Sequence, residues 1–127
     1  MRVSLGAVGR AALAAAALWL AGCGGPFIVV EVVSELEVPA EVDALHLVVV
    51  DPEAADRSLV NERIELAADE AFPVTILLEP VDGTPEGELL FRVRGLAASG
   101  PVATGEARKA WRRDRDNRVT VVLAADP

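Results

Sequence analysis

Apolar and polar residues alternate with a period of two along most of this chain, and no stretch carries a sustained apolar stripe at 3.6-residue spacing. Period-two alternation puts one face of an extended segment in a core and the other in water, so the pattern selects strands over amphipathic helices. Phe27–Val38 is the clearest case: Ile28, Val30, Val32, Leu36 and Val38 share one face, and Glu31, Glu35 and Glu37 the other. Asp43–Val50 is more uniformly apolar, as expected of a central strand covered on both faces. Leu59–Leu66 turns Val60, Ile64 and Leu66 inward and Asn61, Arg63 and Glu65 outward, and reads as an edge strand. In Phe72–Glu79 the residues Phe72, Val74, Ile76 and Leu78 line up, and Pro73 is tolerable only at a strand start or edge. Glu88–Ala98, Val102–Arg112 (with Ala103, Ala107 and Trp111 on one face) and Val119–Leu123 complete seven segments. Turn signals separate them at Pro39-Ala40-Glu41, Asp51-Pro52-Glu53, Asp82–Pro85, Ser99-Gly100-Pro101 and Asp114–Asn117. The expected fold class is all-β: a single antiparallel β-sandwich of about seven strands over residues 27–125, preceded by a signal-peptide helix. Propensity in Ala67, Ala68 and Glu70 leaves a short helix within Glu62–Glu70 as the local alternative.

The first 22 residues have a different character. Met1–Arg10 is basic, Ala11–Leu20 is an uninterrupted apolar run of ten residues, and small residues lead into Cys23. This is the tripartite layout of a secretory signal, and the run is too short for a membrane span, which needs about 20 apolar residues. Leu20-Ala21-Gly22-Cys23 resembles the lipobox of bacterial lipoproteins. The resemblance implies lipid (diacylglycerol, with palmitate-type acyl chains) on the Cys23 thiol and cleavage just before it. Residues 1–22 would then be the signal peptide, residues 23–26 the lipidated cysteine and a flexible tether, and residues 27–125 the domain. Gly24 follows the cysteine where an Asp would point to inner-membrane retention, so the expected location is the cell envelope, at the outer membrane. Two or more acyl chains make a stable anchor.

Cys23 is the only cysteine, so no intramolecular disulfide supports the domain and its stability must come from the core. From Cys23 onward there are 10 basic and 20 acidic residues. That overall charge argues against nucleic acid or anionic lipid as a partner, because phosphate binding needs clustered Lys and Arg. The charges are also unevenly placed. Residues 23–91 carry 16 acids against Arg57 and Arg63, whereas residues 92–127 carry 8 bases against 4 acids.

Beyond the lipobox, the chain resembles short lipoproteins common in myxobacteria and their relatives. The matching parts are VVEVVSELEVPAEVDALHLVVV (29–50), FPVTILLEP (72–80) and RVTVVL (118–123). The resemblance implies an immunoglobulin-like or prealbumin-like sandwich of unassigned activity, and carries over no site.

Candidate chemistry is sparse. A nucleophile needs an adjacent base, yet the one histidine, His46, sits mid-strand among apolar neighbours, and Ser34, Ser58 and Ser99 lie in no Gly-x-Ser-x-Gly elbow. Paired carboxylates suit glycoside hydrolysis, but the domain offers only Trp111, Phe27, Phe72 and Phe91 as sugar platforms, and the three Phe fall on core faces. Asp51, Glu53 and Asp56, like Asp114, Asp116 and Asn117, give fragments of a calcium loop without the Gly and distant Glu that would complete it, and read as solvated turns. No catalytic residue, metal or cofactor is expected. The basic segment Arg108, Trp111, Arg112, Arg113, Arg115 and Arg118 is the candidate partner surface, with Trp111 as its apolar anchor and lipid headgroups or an acidic protein as its target. The expected function is a membrane-anchored, non-catalytic binding or structural module for another envelope component. A sugar-binding or hydrolytic domain using loop carboxylates is the alternative.

Overall fold

The computed structural model describes residues 2–5, 27–54, 58–80, 84, 86–115 and 117–126. Cys23 and the expected signal-peptide helix lie outside the described residues. The strands in chain order are β1 (Arg2–Leu5), β2 (Ile28–Ser34), β3 (Ala44–Val50), β4 (Ser58–Glu65), β5 (Val74–Glu79), β6 (Gly87–Ala97), β7 (Gly100–Trp111) and β8 (Asn117–Ala125). The protein is all-β in its described residues apart from a single 3-10 turn at Pro52–Ala54. Seven of the strands are those read from the alternation. The eighth, β1, falls in the basic segment expected to open the signal and pairs antiparallel with β5, Arg2 opposite Glu79.

The strands form one sheet in the order β1-β5-β2-β8-β7-β6-β3-β4. Its pairing corrects the expectation of a wholly antiparallel fold: β2 and β8 run parallel, with Ile28 opposite Asn117 and Ser34 opposite Leu123. Alternation assigns faces but not partners or directions. Joining the first and last strands of the domain also needs no local crossover, so a parallel pair there has no signature in the chain. The sheet is therefore mixed, and it curls into a half-barrel around a single core. β2, β5 and β8 supply Ile28, Val30, Val32, Val74, Ile76, Leu78, Val119, Val121 and Leu123 to it, while β3 and β6 supply Leu45, Leu47, Val49, Leu89, Phe91 and Val93. Each such side chain contributes about 1.5–3 kcal/mol when fully buried.

The two arms of the sheet meet where β7 pairs briefly with β8, Ala103 opposite Ala125 and Thr104 opposite Ala124. Beside this junction a Cβ on Gly105 would lie 2.3 Å from the Val122 carbonyl oxygen, so only glycine lets the two backbones approach so closely. Gly100, with φ of +116°, closes the β6–β7 turn in a conformation that side chains disfavour.

Three local expectations change. β2 stops at Ser34 instead of running to Val38, because the Ser34 hydroxyl donates to the Leu123 carbonyl and accepts from the Leu36 amide, which draws the backbone out of the ladder. The alternative helix in Glu62–Glu70 does not form. Glu62–Glu65 pairs with β3, Leu66 N–H donates to Asp43 O, and a turn follows in which Ala67 N–H donates to the Glu70 carboxylate. Tertiary pairing here overrides propensity. β3 is central between β4 and β6, but its second face is covered only at the strand ends, by the burial of Ala44 and Val50, and His46 and Val48 between them are half-exposed.

Candidate functional site

The segment that sequence reading singled out ends β7, turns, and opens β8. Asn117, only 3% exposed, builds the turn: its Oδ1 accepts from Arg112 N–H, and its Nδ2 donates to the carbonyls of Arg112 and Arg115. The side chain thus closes the loop as a backbone turn would. Trp111, expected as an exposed anchor, is fully buried in the core. Its position at the end of a strand whose inward face is otherwise small (Ala103, Gly105, Ala107) leaves room there for a large ring. The Arg113 guanidinium stacks over that ring at 5.0 Å and donates to the Thr84 carbonyl. Cation and ring fit together through the ring's negative face.

The other cations of the segment divide into paired and spare. Arg108 reaches Glu88 at 3.1 Å, and Arg112 approaches Glu86 at 3.9 Å. Arg115 and Arg118 are exposed and meet no carboxylate among the described residues. The basic segment therefore contributes both to the turn's own architecture, through Arg112 and Arg113, and to an open surface, through Arg115 and Arg118.

Folding also assembles a group that strand-by-strand reading missed. On the solvent face His46 stands opposite Arg63 on one side and Arg94 on the other, a cross-strand row of three nitrogen bases. His46 Nε2–H donates to Asn61 Oδ1 at 2.5 Å. Glu65 bonds Arg63, and that bond and its charge push the guanidinium pKa further up, so Arg63 is a permanent cation. Arg92 pairs with Glu106 in the same face. Each residue was legible as outward-pointing, but register decides who stands opposite whom.

The acidic loops behave as turns. Asp51 Oδ1 accepts from Glu53 N–H, and the Asp51 carbonyl accepts from Ala54 N–H. Asp56 and Asp116 lie outside the described residues. Among the described residues no group of three His, Cys, Asp or Glu side chains is placed to hold a metal ion, and no helix is long and apolar enough to cross a membrane. Comparison with known proteins returns no relative: no family model, no curated protein and no solved structure matches the chain.

Proposed function

We propose that this chain is a membrane-anchored envelope lipoprotein, held through lipid on Cys23 in the outer membrane, whose β-domain is a non-catalytic binding or structural module for another envelope component. The observation that carries the anchor is Leu20-Ala21-Gly22-Cys23, with the apolar run before it and no other cysteine in the chain. We read the half-barrel as a sandwich-type domain of the immunoglobulin-like or prealbumin-like kind. Its filled core supports that reading, as does the resemblance of residues 29–50, 72–80 and 118–123 to short envelope lipoproteins.

The nature of the interior supports a role without catalysis. The buried polar side chains among the described residues are Thr84 and Asn117, neither ionisable, and Asn117 is committed to its turn. Chemistry on a bound substrate needs polar groups converging in a recess, and among the described residues most charged side chains lie outward on sheet faces and loops, with one carboxylate oxygen each of Asp43 and Glu70 turned inward. Cys23→Ser tests the anchor. The variant should incorporate no radiolabelled palmitate and remain uncleaved or leave the membrane fraction, whereas a processed variant that still partitions into detergent would refute the lipid anchor.

A further inference from the structure

We propose that the β7–β8 turn, through Arg115 and Arg118 with Arg112 beside them, rests on the anionic phospholipid headgroups of the anchoring membrane and stands the domain upright. This deepens the lipoprotein reading and depends on it for the anchor. The carrying observation is the parallel β2–β8 pair. It sets Ile28 opposite Asn117 and Val29 opposite Arg118, so the strand that leaves the tether begins beside the arginine turn. Cys23 is five residues before Ile28, and five residues reach at most about 18 Å when fully extended. Lipid on Cys23 therefore holds the turn within that distance of the interface.

Charge along the strand axis points the same way. The end remote from the tether brings together residues 35–43, 66–72, 96–104 and 123–126, joined by hydrogen bonds from Asp43 N–H to Leu96 O, Leu66 N–H to Asp43 O and Asp126 N–H to Val102 O. These segments hold Glu35, Glu37, Glu41, Asp43, Asp69, Glu70 and Asp126 and neither Lys nor Arg. Among the described residues of the tether end, the six acids Asp51, Glu53, Glu79, Glu86, Glu88 and Asp114 are matched by the six bases Arg108, Lys109, Arg112, Arg113, Arg115 and Arg118. The domain is acidic overall, so attraction of the whole does not set its orientation; the difference between the ends does. Standing upright removes the acidic end by more than about 20 Å, over two Debye lengths at physiological salt. Lying flat would bring it into the repulsive field. Guanidinium forks match phosphate oxygens, and Arg115 and Arg118 pair with no carboxylate among the described residues.

The test uses the full lipidated protein in phosphatidylcholine vesicles with and without one-third phosphatidylglycerol. Fluorophores are placed on Ala110→Cys near the turn or Ser99→Cys at the far end, both exposed neutral positions, and energy transfer to a headgroup acceptor is read. Transfer from position 110 should exceed that from 99, rise with phosphatidylglycerol, and fall with high salt or in the Arg115→Gln, Arg118→Gln double variant. Equal or reversed transfer, or indifference to phosphatidylglycerol and to the double variant, would overturn the proposal. If mass spectrometry finds no lipid on Cys23, the anchor reading fails separately. The turn is then judged by co-sedimentation of the full chain with the same vesicles: binding to the anionic ones that the double variant loses supports it, and no binding overturns it.

Discussion

A Cβ at position 105 would overlap a backbone carbonyl, which cannot swing aside as a side chain can, and would also press on Val121 at 2.9 Å. Gly105→Ala should therefore destabilise the domain by roughly 3 kcal/mol, at the upper end of overpacking costs, and urea denaturation would measure it. An unchanged midpoint would mean that β7 and β8 are not in such close contact. Asn117 is the second sensitive position. Asn117→Ala leaves the Arg112 amide and two carbonyls without their partner, at a cost of about 2 kcal/mol or more. Asn117→Asp retains the acceptor but loses both donated bonds, and should fall between the two in thermal melts. Both sites carried sequence signals of limited reach: Asn117 closed a recognisable turn, but nothing around Gly105 announced a backbone crossing.

Within the β7–β8 turn the arginines separate by what they touch. Arg113 spans the Trp111 ring and the Thr84 carbonyl, joining the turn to the β5–β6 connection. Arg113→Gln should lower stability by about 1 kcal/mol, the scale of one cation–ring contact with one hydrogen bond. Arg115→Gln should change it by less than about 0.5 kcal/mol, as exposed substitutions usually do. Parallel denaturant titrations of the two variants check this, and equal effects would contradict the division into structural and spare cations. Exposed ion pairs such as Arg92–Glu106 and Arg108–Glu88 add little singly. They nevertheless show that some of the late-chain bases meet their acids across neighbouring strands of one face. The elements themselves were readable, since the burial of β2, β5 and β8 follows the alternation residue by residue. Strand ends were less so, because capping contacts such as Ser34 with Leu123 come from strands far away in the chain.

For the whole molecule, a chain beginning at Phe27 should give a β-type far-ultraviolet circular dichroism spectrum and unfold in one cooperative transition that a chelator leaves unmoved. A helical spectrum would contradict the fold, and loss of the transition in chelator would revive calcium binding at the acidic loops. One apolar cluster spans both arms of the sheet, which is the physical basis for expecting a single transition.

The sequence by itself determined the class of structure, the approximate positions of the seven strands of the domain and, in β2, β5 and β8, which residues face inward, because alternation is local and burial follows from it. It also marked Cys23 and the arginine turn as the places to look. Tertiary structure alone decided the parallel pairing of β2 with β8, the burial of Trp111, the row of Arg63, His46 and Arg94, and the adjacency of the arginine turn to the start of β2. Those depend on which strands become neighbours and in what register. Register is set by the fit of a whole core, a property no single segment carries.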